Sequence, residues 1–451
     1  MPPLPTDTEP TPRTASLLRS PTRSPRARWS LLLAAVLTAA PSVEATALSS
    51  SAGSHAHRLG ASGGNEQSAT RIPCETDALI DAITELNETG GGHLALSKKC
   101  TYVLDEAAQG GSGLPTVTAP ITIHGAHATL LRRDTAEAFG IFTVADGGKL
   151  ELRQLTVSGG ECADEPGLDG GGGIFVQQGG RVGLDRVNLT GNTVADTTTQ
   201  SGGALYNHGV AVIENSTLSQ NVAYDGGAVF NAPGAELAVT KSKLTHNTAT
   251  NTGGALHQGA QAVIKDSLFS DNRSEGESGG AIYNLDTDLR VLRTAFLRNL
   301  AADDGGALIN KGSGTLTMKD AKIRDNNADS YGGGLYVEGN ALIEDTYIEA
   351  NVATNARGGG IYVNEAGEVV IRRTTITRNR AVGSGATAGG LQVEDGSITL
   401  ADTRITENFS DLKPGGVMSL VPVVVTGKTV IKGNQPTNCS GSIEPVPGCT
   451  D

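Results

Sequence analysis

Short runs in which apolar and polar residues alternate recur along most of the chain, as in Ala211-Val212-Ile213-Glu214 and Ala341-Leu342-Ile343-Glu344. A period of two marks a strand with one buried face. The repeats contain no run long enough for a helix. One helical pattern precedes them: Ala78, Leu79, Ala82, Ile83 and Leu86 share a face, Thr76 suits the N-cap, and Gly90-Gly91-Gly92 ends the segment. The strand Leu94-Ala95-Leu96 follows.

Two blocks punctuate the alternation. The first is a glycine pair leading into an aliphatic residue, as in Gly202-Gly203-Ala204-Leu205-Tyr206-Asn207 and Gly279-Gly280-Ala281-Ile282-Tyr283-Asn284. Its aliphatic position falls at Ile174, Leu205, Val229, Leu256, Ile282, Leu308, Leu335, Ile361, Leu391 and Val417. The second places an aliphatic residue or Phe three residues before Asn, as in Leu218 with Asn221 and Phe296 with Asn299. From the aliphatic position to the Asn of its own repeat the gap is 16 to 18 residues, and from that Asn to the next repeat it is 8 to 13. Each repeat thus has one rigid part and one elastic part.

Short strands, a fixed period and one elastic connection describe a chain wound into stacked coils. The fold expected is all-β, a right-handed parallel β-helix of about ten to twelve coils with an N-terminal capping helix. Three short strands per coil would form three parallel sheets. The recurring Asn suits a buried turn ladder, and the glycine pair suits a turn that excludes a Cβ. A leucine-rich-repeat horseshoe competes, but it wants a denser leucine pattern and one strand per repeat.

Composition agrees. The 451 residues include 60 glycines, only 4% are aromatic and 18% charged, the profile of a turn-rich repeat protein. Arg23, Arg26 and Arg28 precede the apolar run 31–37, and Ala45-Thr46-Ala47 fits a cleavage site. The run is shorter than the ~20 residues that span a bilayer, and no later segment is apolar enough to span. The chain therefore divides into a signal peptide (1–47), a flexible linker (48–71), an N-terminal cap (72–120), the β-helix (121–434) and a C-terminal cap (435–451). Removing residues 1–47 takes five of 35 basic and three of 48 acidic side chains, leaving 30 − 45 = −15. That balance disfavours nucleic acid and anionic membrane surfaces. Export favours disulfides, and Cys74–Cys100 and Cys439–Cys449 would staple the two ends, with Cys162 outside both pairs. No Cys/His cluster has zinc spacing, so neither a metal nor another cofactor is expected.

Two sets of residues are candidates for chemistry. If Leu205 and its equivalents face inward, the next residue faces out, giving a column of Phe175, Tyr206, Phe230, His257, Tyr283, Ile309, Tyr336, Tyr362, Gln392 and Met418. Six of the sixteen aromatic residues share this position. Ring faces with polar edges suit sugar rings and extended polymers. The second set lies in the elastic loops: Asp225, Glu277, Asp303, Asp304 and Arg357. Such loops on a rigid scaffold carry function, and coils two apart would bring Asp225 near Glu277 or Asp304. Inverting glycoside hydrolysis needs paired carboxylates, and a lyase would add a basic residue and carboxylates for Ca²⁺. Asp303-Asp304 is the single Asp-Asp, and a Gly-His-Gly block is missing.

Gly279-Gly280-Ala281-Ile282 and Phe296-Leu297-Arg298-Asn299 resemble the repeat of the polymorphic outer-membrane protein family, over roughly residues 170–434. The resemblance implies a parallel β-helix displayed outside the cell, often adhesive. No membrane barrel follows the repeats in this sequence, so release or attachment to the wall is expected instead. The function expected is a secreted, non-catalytic binding or adhesion protein for polysaccharide or cell-wall polymer at a bacterial surface. The alternative is a polysaccharide lyase or glycoside hydrolase acting at the acidic loops.

Overall fold

A computed structural model describes residues 69–108, 112–164, 169–365 and 367–451. The expected signal peptide (1–47) and nearly all of the linker (48–71) lie outside them. The described chain is a parallel β-solenoid of about 13 turns. The count exceeds the expected ten to twelve because Gly92–Leu96, Pro120–Arg132 and Lys149–Ser158, which lack the glycine-pair block, pair in register in the same column.

The alternation predicts three strands per coil; the structure has four. One coil reads Leu205–Asn207, Val210–Glu214, Thr217–Ser219 and Val222–Ala223. The second and third strands belong to one 25-stranded sheet, folded at a tight corner. At that corner Asn215, Lys241 and Asp266 adopt positive φ, which breaks a single alternating run in two. The first strand joins an 11-stranded sheet and the fourth an 8-stranded sheet. Strands such as Val222–Ala223 are only 2 residues long, too short to leave an alternation.

The glycine pair has two separate causes. Gly279 sits at φ 73°, where an L side chain is strained. At Gly280 a Cβ would come 2.2 Å from the Gly306 carbonyl oxygen of the next coil. Inside the coils the aliphatic columns (Leu205, Val229, Leu256, Ile282 and their equivalents) are fully buried, each side chain worth about 1.5–3 kcal/mol of apolar burial.

At the corner before the fourth strand, Asn192, Asn221, Asn247 and their equivalents through Asn434 form a continuous amide ladder. Each Nδ2 donates to the Oδ1 of the next coil, as Asn272 to Asn299 at 2.9 Å, and to a backbone carbonyl of the coil below. Each Oδ1 also accepts a backbone N–H, so no amide atom is stranded in the interior. A shorter ladder of Ser216, Ser242, Ser267 and Thr294 lines the other corner, each hydroxyl accepting the N–H of the preceding coil.

Both ends are covered. Helix α1 (Thr76–Thr89) buries Leu79 and Ile83 over the first coil. Its N-cap is Glu75, without a side-chain cap; Thr76 is the first helical residue and its hydroxyl donates to the Val103 carbonyl at 2.9 Å. Gly90, at φ 89°, closes the helix. Cys74–Cys100 ties this cap to the first coils, and Cys439–Cys449 closes the segment over the last one. Cys162 is buried against Val194 and Ala223.

Candidate functional site

The column predicted to face outward does so, on the outer side of the 11-stranded sheet. Strand register places Tyr206, Phe230, His257, Tyr283, Ile309, Tyr336, Tyr362 and Gln392 on successive coils. The expectation that ring faces are open to a ligand is overturned. The Tyr206–Phe230, Phe230–His257 and His257–Tyr283 centroids lie 4.9, 4.8 and 5.1 Å apart, with interplanar angles of 23°, 20° and 18°. Rungs repeat every ~4.8 Å, which is also a stacking distance, so the rings from Tyr206 to Tyr283 cover one another's faces; Phe175 instead meets Tyr206 edge-on at 67°, and Tyr336 and Tyr362 are tilted by 31°. Phe175, Tyr206, His257, Tyr336 and Tyr362 are accordingly buried, and Phe230 and Tyr283 half-buried. What the column offers the outside is edges.

The edge at His257 is organised by a hydroxyl. Thr252 Oγ1 lies 2.8 Å from His257 Nδ1 and hydrogen-bonds Asp225 Oδ1, which also accepts from Asn251 Nδ2 and the Thr252 N–H at 3.0 and 3.1 Å. Burial lowers the His257 pKa, and the nearby Asp225 carboxylate opposes this. Burial also pushes the flanking Tyr206 and Tyr283 hydroxyls up to about 12, so both are protonated donors at neutral pH.

Farther along, the column becomes polar. Glu338, buried, accepts from Lys311 Nζ, from the Gly312 N–H at 3.0 Å and from the Tyr336 hydroxyl at 3.2 Å. Arg357 Nη1 meets Glu394 Oε1 at 2.6 Å, and Gln392 Nε2 reaches the same oxygen at 3.4 Å. Tyr362 lies beside Glu394, and burial holds its hydroxyl well above the usual phenol range.

Of the loop candidates, Asp225, Asp304 and Arg357 stand in one column beside the rings, one residue before the first glycine of their coils. Glu277 and Asp303 are exposed. Asp304 accepts the Tyr331 N–H at 2.8 Å, and its pKa is raised to about 6, first by burial and then by the Asp303 charge. Asp225 and Asp304 are three coils apart, about 14 Å along the axis, and Glu277 is two coils from Asp225. The expected close approach of Asp225 and Asp304 does not occur, because two rungs, those of Thr252 and Ser278, stand between them.

The structure brings in four residues that sequence reasoning passed over: Thr252, Tyr331, Glu338 and Glu394. Each carried a signal. Thr252 and Tyr331 precede a glycine pair, as Asp225 and Asp304 do, while Glu338 and Glu394 follow the ring column by two residues and so share its face. Among the described residues no group of three or more His, Cys, Asp or Glu is placed to hold a metal. A separate groove of about 260 Å³ lies at the corner of Lys241, Asp266, Arg293, Asp320 and Lys322. There Arg293 grips Asp266 in two hydrogen bonds of 2.6 and 2.9 Å.

A probable autotransporter, YfaL, of Escherichia coli strain K12 is 25% identical over 325 residues, covering 68% of this chain and 21% of that protein. The chain therefore spans about a fifth of the length of this relative. The A-modules of the mannuronan C-5 epimerases AlgE6 and AlgE4 of Azotobacter vinelandii superpose with TM-scores of 0.37 and 0.38 at 16% and 15% identity. They cover 78% and 79% of this chain, and 95% and 94% of their own. No helix among the described residues is long and apolar enough to cross a membrane. The model of the right handed beta helix region matches residues 172–343 and 305–444, more than half of the sequence, and the chain belongs to that family.

Proposed function

We propose that this chain is an extracellular or surface protein that binds a polysaccharide along the outer face of the 11-stranded sheet, with adhesion as its role. The observation that carries this reading is the file of ring edges and polar side chains, one per coil from Tyr206 to Gln392 and interrupted at Ile309 alone. A polymer with a regular repeat meets equivalent groups at each rung. Because the faces are taken by stacking, recognition runs through hydroxyls and heteroatoms at the edges, flanked by Asp225, Asp304 and the Lys311–Glu338 and Arg357–Glu394 pairs. Two disulfides and the likeness to an autotransporter support a location outside the cytoplasm.

The test is substitution of edges with the stacks retained. Tyr283→Phe, Tyr336→Phe and Tyr362→Phe together remove three hydroxyls and leave the rings. Retardation of the triple variant in polysaccharide-containing native gels should fall to that of a non-binding control, with thermal unfolding little changed. Retardation equal to wild type refutes edge recognition.

A catalytic reading has one observation in its favour, the contact of Asp225, Thr252 and His257. The ~14 Å between Asp225 and Asp304 exceeds the ~6.5–9.5 Å of an inverting carboxylate pair, which excludes that pair, and the test of catalysis starts from His257. New reducing ends or unsaturated products from a polysaccharide panel, lost in His257→Gln, would establish it.

A further inference from the structure

The hydrogen-bonding state of Thr252 and His257 follows from valence. The Thr252 hydroxyl has a single proton, and its partner Asp225 is a carboxylate, which only accepts. The proton between Thr252 and His257 therefore comes from the ring: Nδ1–H donates to Oγ1 across 2.8 Å. A neutral imidazole protonated at Nδ1 has its lone pair on Nε2. That atom has no hydrogen-bond partner among the described residues, and it is not one of the sealed, unpartnered buried atoms. It faces outward as an acceptor, on a side chain that is only 11% exposed.

A second observation is independent of this one. The cations beside the column are committed, Lys311 to Glu338 and Arg357 to Glu394. The three hydrogen bonds to Asp225 all end on Oδ1, which leaves Oδ2 outside them, and Asp304 adds a carboxylate to the same column. Beside the donor hydroxyls of Tyr206 and Tyr283, the atoms that His257 and Asp225 leave for a ligand are acceptors.

We infer, building on the polysaccharide reading, that the occupant is an amino-sugar polymer whose ammonium and hydroxyl groups donate to His257 Nε2 and Asp225 Oδ2. A polyuronate would set its carboxylates against Asp225 and Asp304 with no uncommitted cation beside them, a like-charge placement that selects against it. Thr252 is the positioning residue: it turns the ring lone pair outward.

The experiment is affinity electrophoresis of the full chain against a glucosamine polymer, its N-acetylated counterpart and polygalacturonate, with wild type, Thr252→Val and Thr252→Ser. The glucosamine polymer should retard wild type most, the N-acetylated one less, and polygalacturonate not at all. Thr252→Val should weaken binding about tenfold, and Thr252→Ser, which keeps the relay, should restore it. Nitrogen NMR of the ring should show Nδ1–H in wild type and a loss of that preference in Thr252→Val, a readout that a merely structural threonine would not move. Equal or stronger retardation by polygalacturonate or by the N-acetylated polymer overturns the inference, as does Nε2–H in wild type. Retardation by none of the three polymers, with the ring tautomer as derived, instead overturns the polysaccharide reading.

Discussion

At the scale of single residues, two polar groups depart from the pattern around them. On the first strand, Asn207 donates to Asn231 and Asn284 to Asn310, each at 2.7 Å. Between these pairs, in register, stands Gln258. Its amide finds no partner, and Asn231 Nδ2 and Asn284 Oδ1 are left unpaired on either side. The extra methylene carries the amide out of line, and a stranded buried polar atom costs about 1–3 kcal/mol. Gln258→Asn should close the ladder and raise stability by about 1 kcal/mol, after loss of one buried methylene; chemical denaturation measures it. Asp304 is the second case. Its folded pKa, about 6 against an ordinary 3.8, means that ionisation is disfavoured by folding. The stability it contributes is full below its ordinary pKa and is lost as pH rises through about 6. Each unit of displacement is worth about 1.4 kcal/mol. Asp304→Asn, which keeps an oxygen for the Tyr331 N–H, should therefore be more stable than wild type at pH 7 and match it near pH 4 (both approximate). An identical gain at both pH values would contradict this assignment.

At the scale of elements, each coil is four short strands held by side chains at the corners. The Asn ladder is the costliest to break, because one amide serves three neighbours. Asn299 accepts from Asn272 through both backbone and side chain and donates to Asn326 and the Phe269 carbonyl. Asn299→Ala leaves several of these groups unsatisfied and should cost about 3–4 kcal/mol, seen as a fall in melting temperature and faster amide exchange in the coils on either side. Much of this was legible: the fixed gap between aliphatic and Asn positions requires a rigid path, and buried Asn at one corner satisfies it. The Ser/Thr ladder was not legible, because Val187 and Ala321 interrupt it and its residues look like ordinary solvated turns. The facing of the ring column could be read from alternation. The covering of the ring faces could not, since it depends on the distance between coils.

For the described chain as a whole, a solenoid makes contacts mainly between neighbouring coils, so stability is local and the ends are the vulnerable places. Cys439–Cys449 closes a segment of 10 residues over the final coil, where Asn438 ends the amide ladder by donating to the Thr450 carbonyl at 2.8 Å. Replacing both cysteines by serine should cost about 2–3 kcal/mol locally. Hydrogen exchange should rise in Val417–Ser419 and Val423–Thr426 and stay unchanged in the central coils. A uniform rise along the solenoid would show instead that the coils unfold as one unit. The same locality bears on the proposed binding face, whose side chains stay aligned only while the coils between Tyr206 and Gln392 remain in register.

Periodicity in the amino-acid order sufficed for the winding of the backbone, the inward aliphatic columns, the buried Asn corner and the glycine pairs, because each imposes the same residue type at the same place in every coil. Partnerships between coils were settled only by folding. Thr252 meets His257 within its own coil but takes its direction from Asp225 one coil away, and the rings lose their faces to neighbours some 24 to 27 residues distant. These contacts depend on how far the chain rises per turn and how each elastic loop is placed sideways, and neither quantity is written in the local pattern of residues.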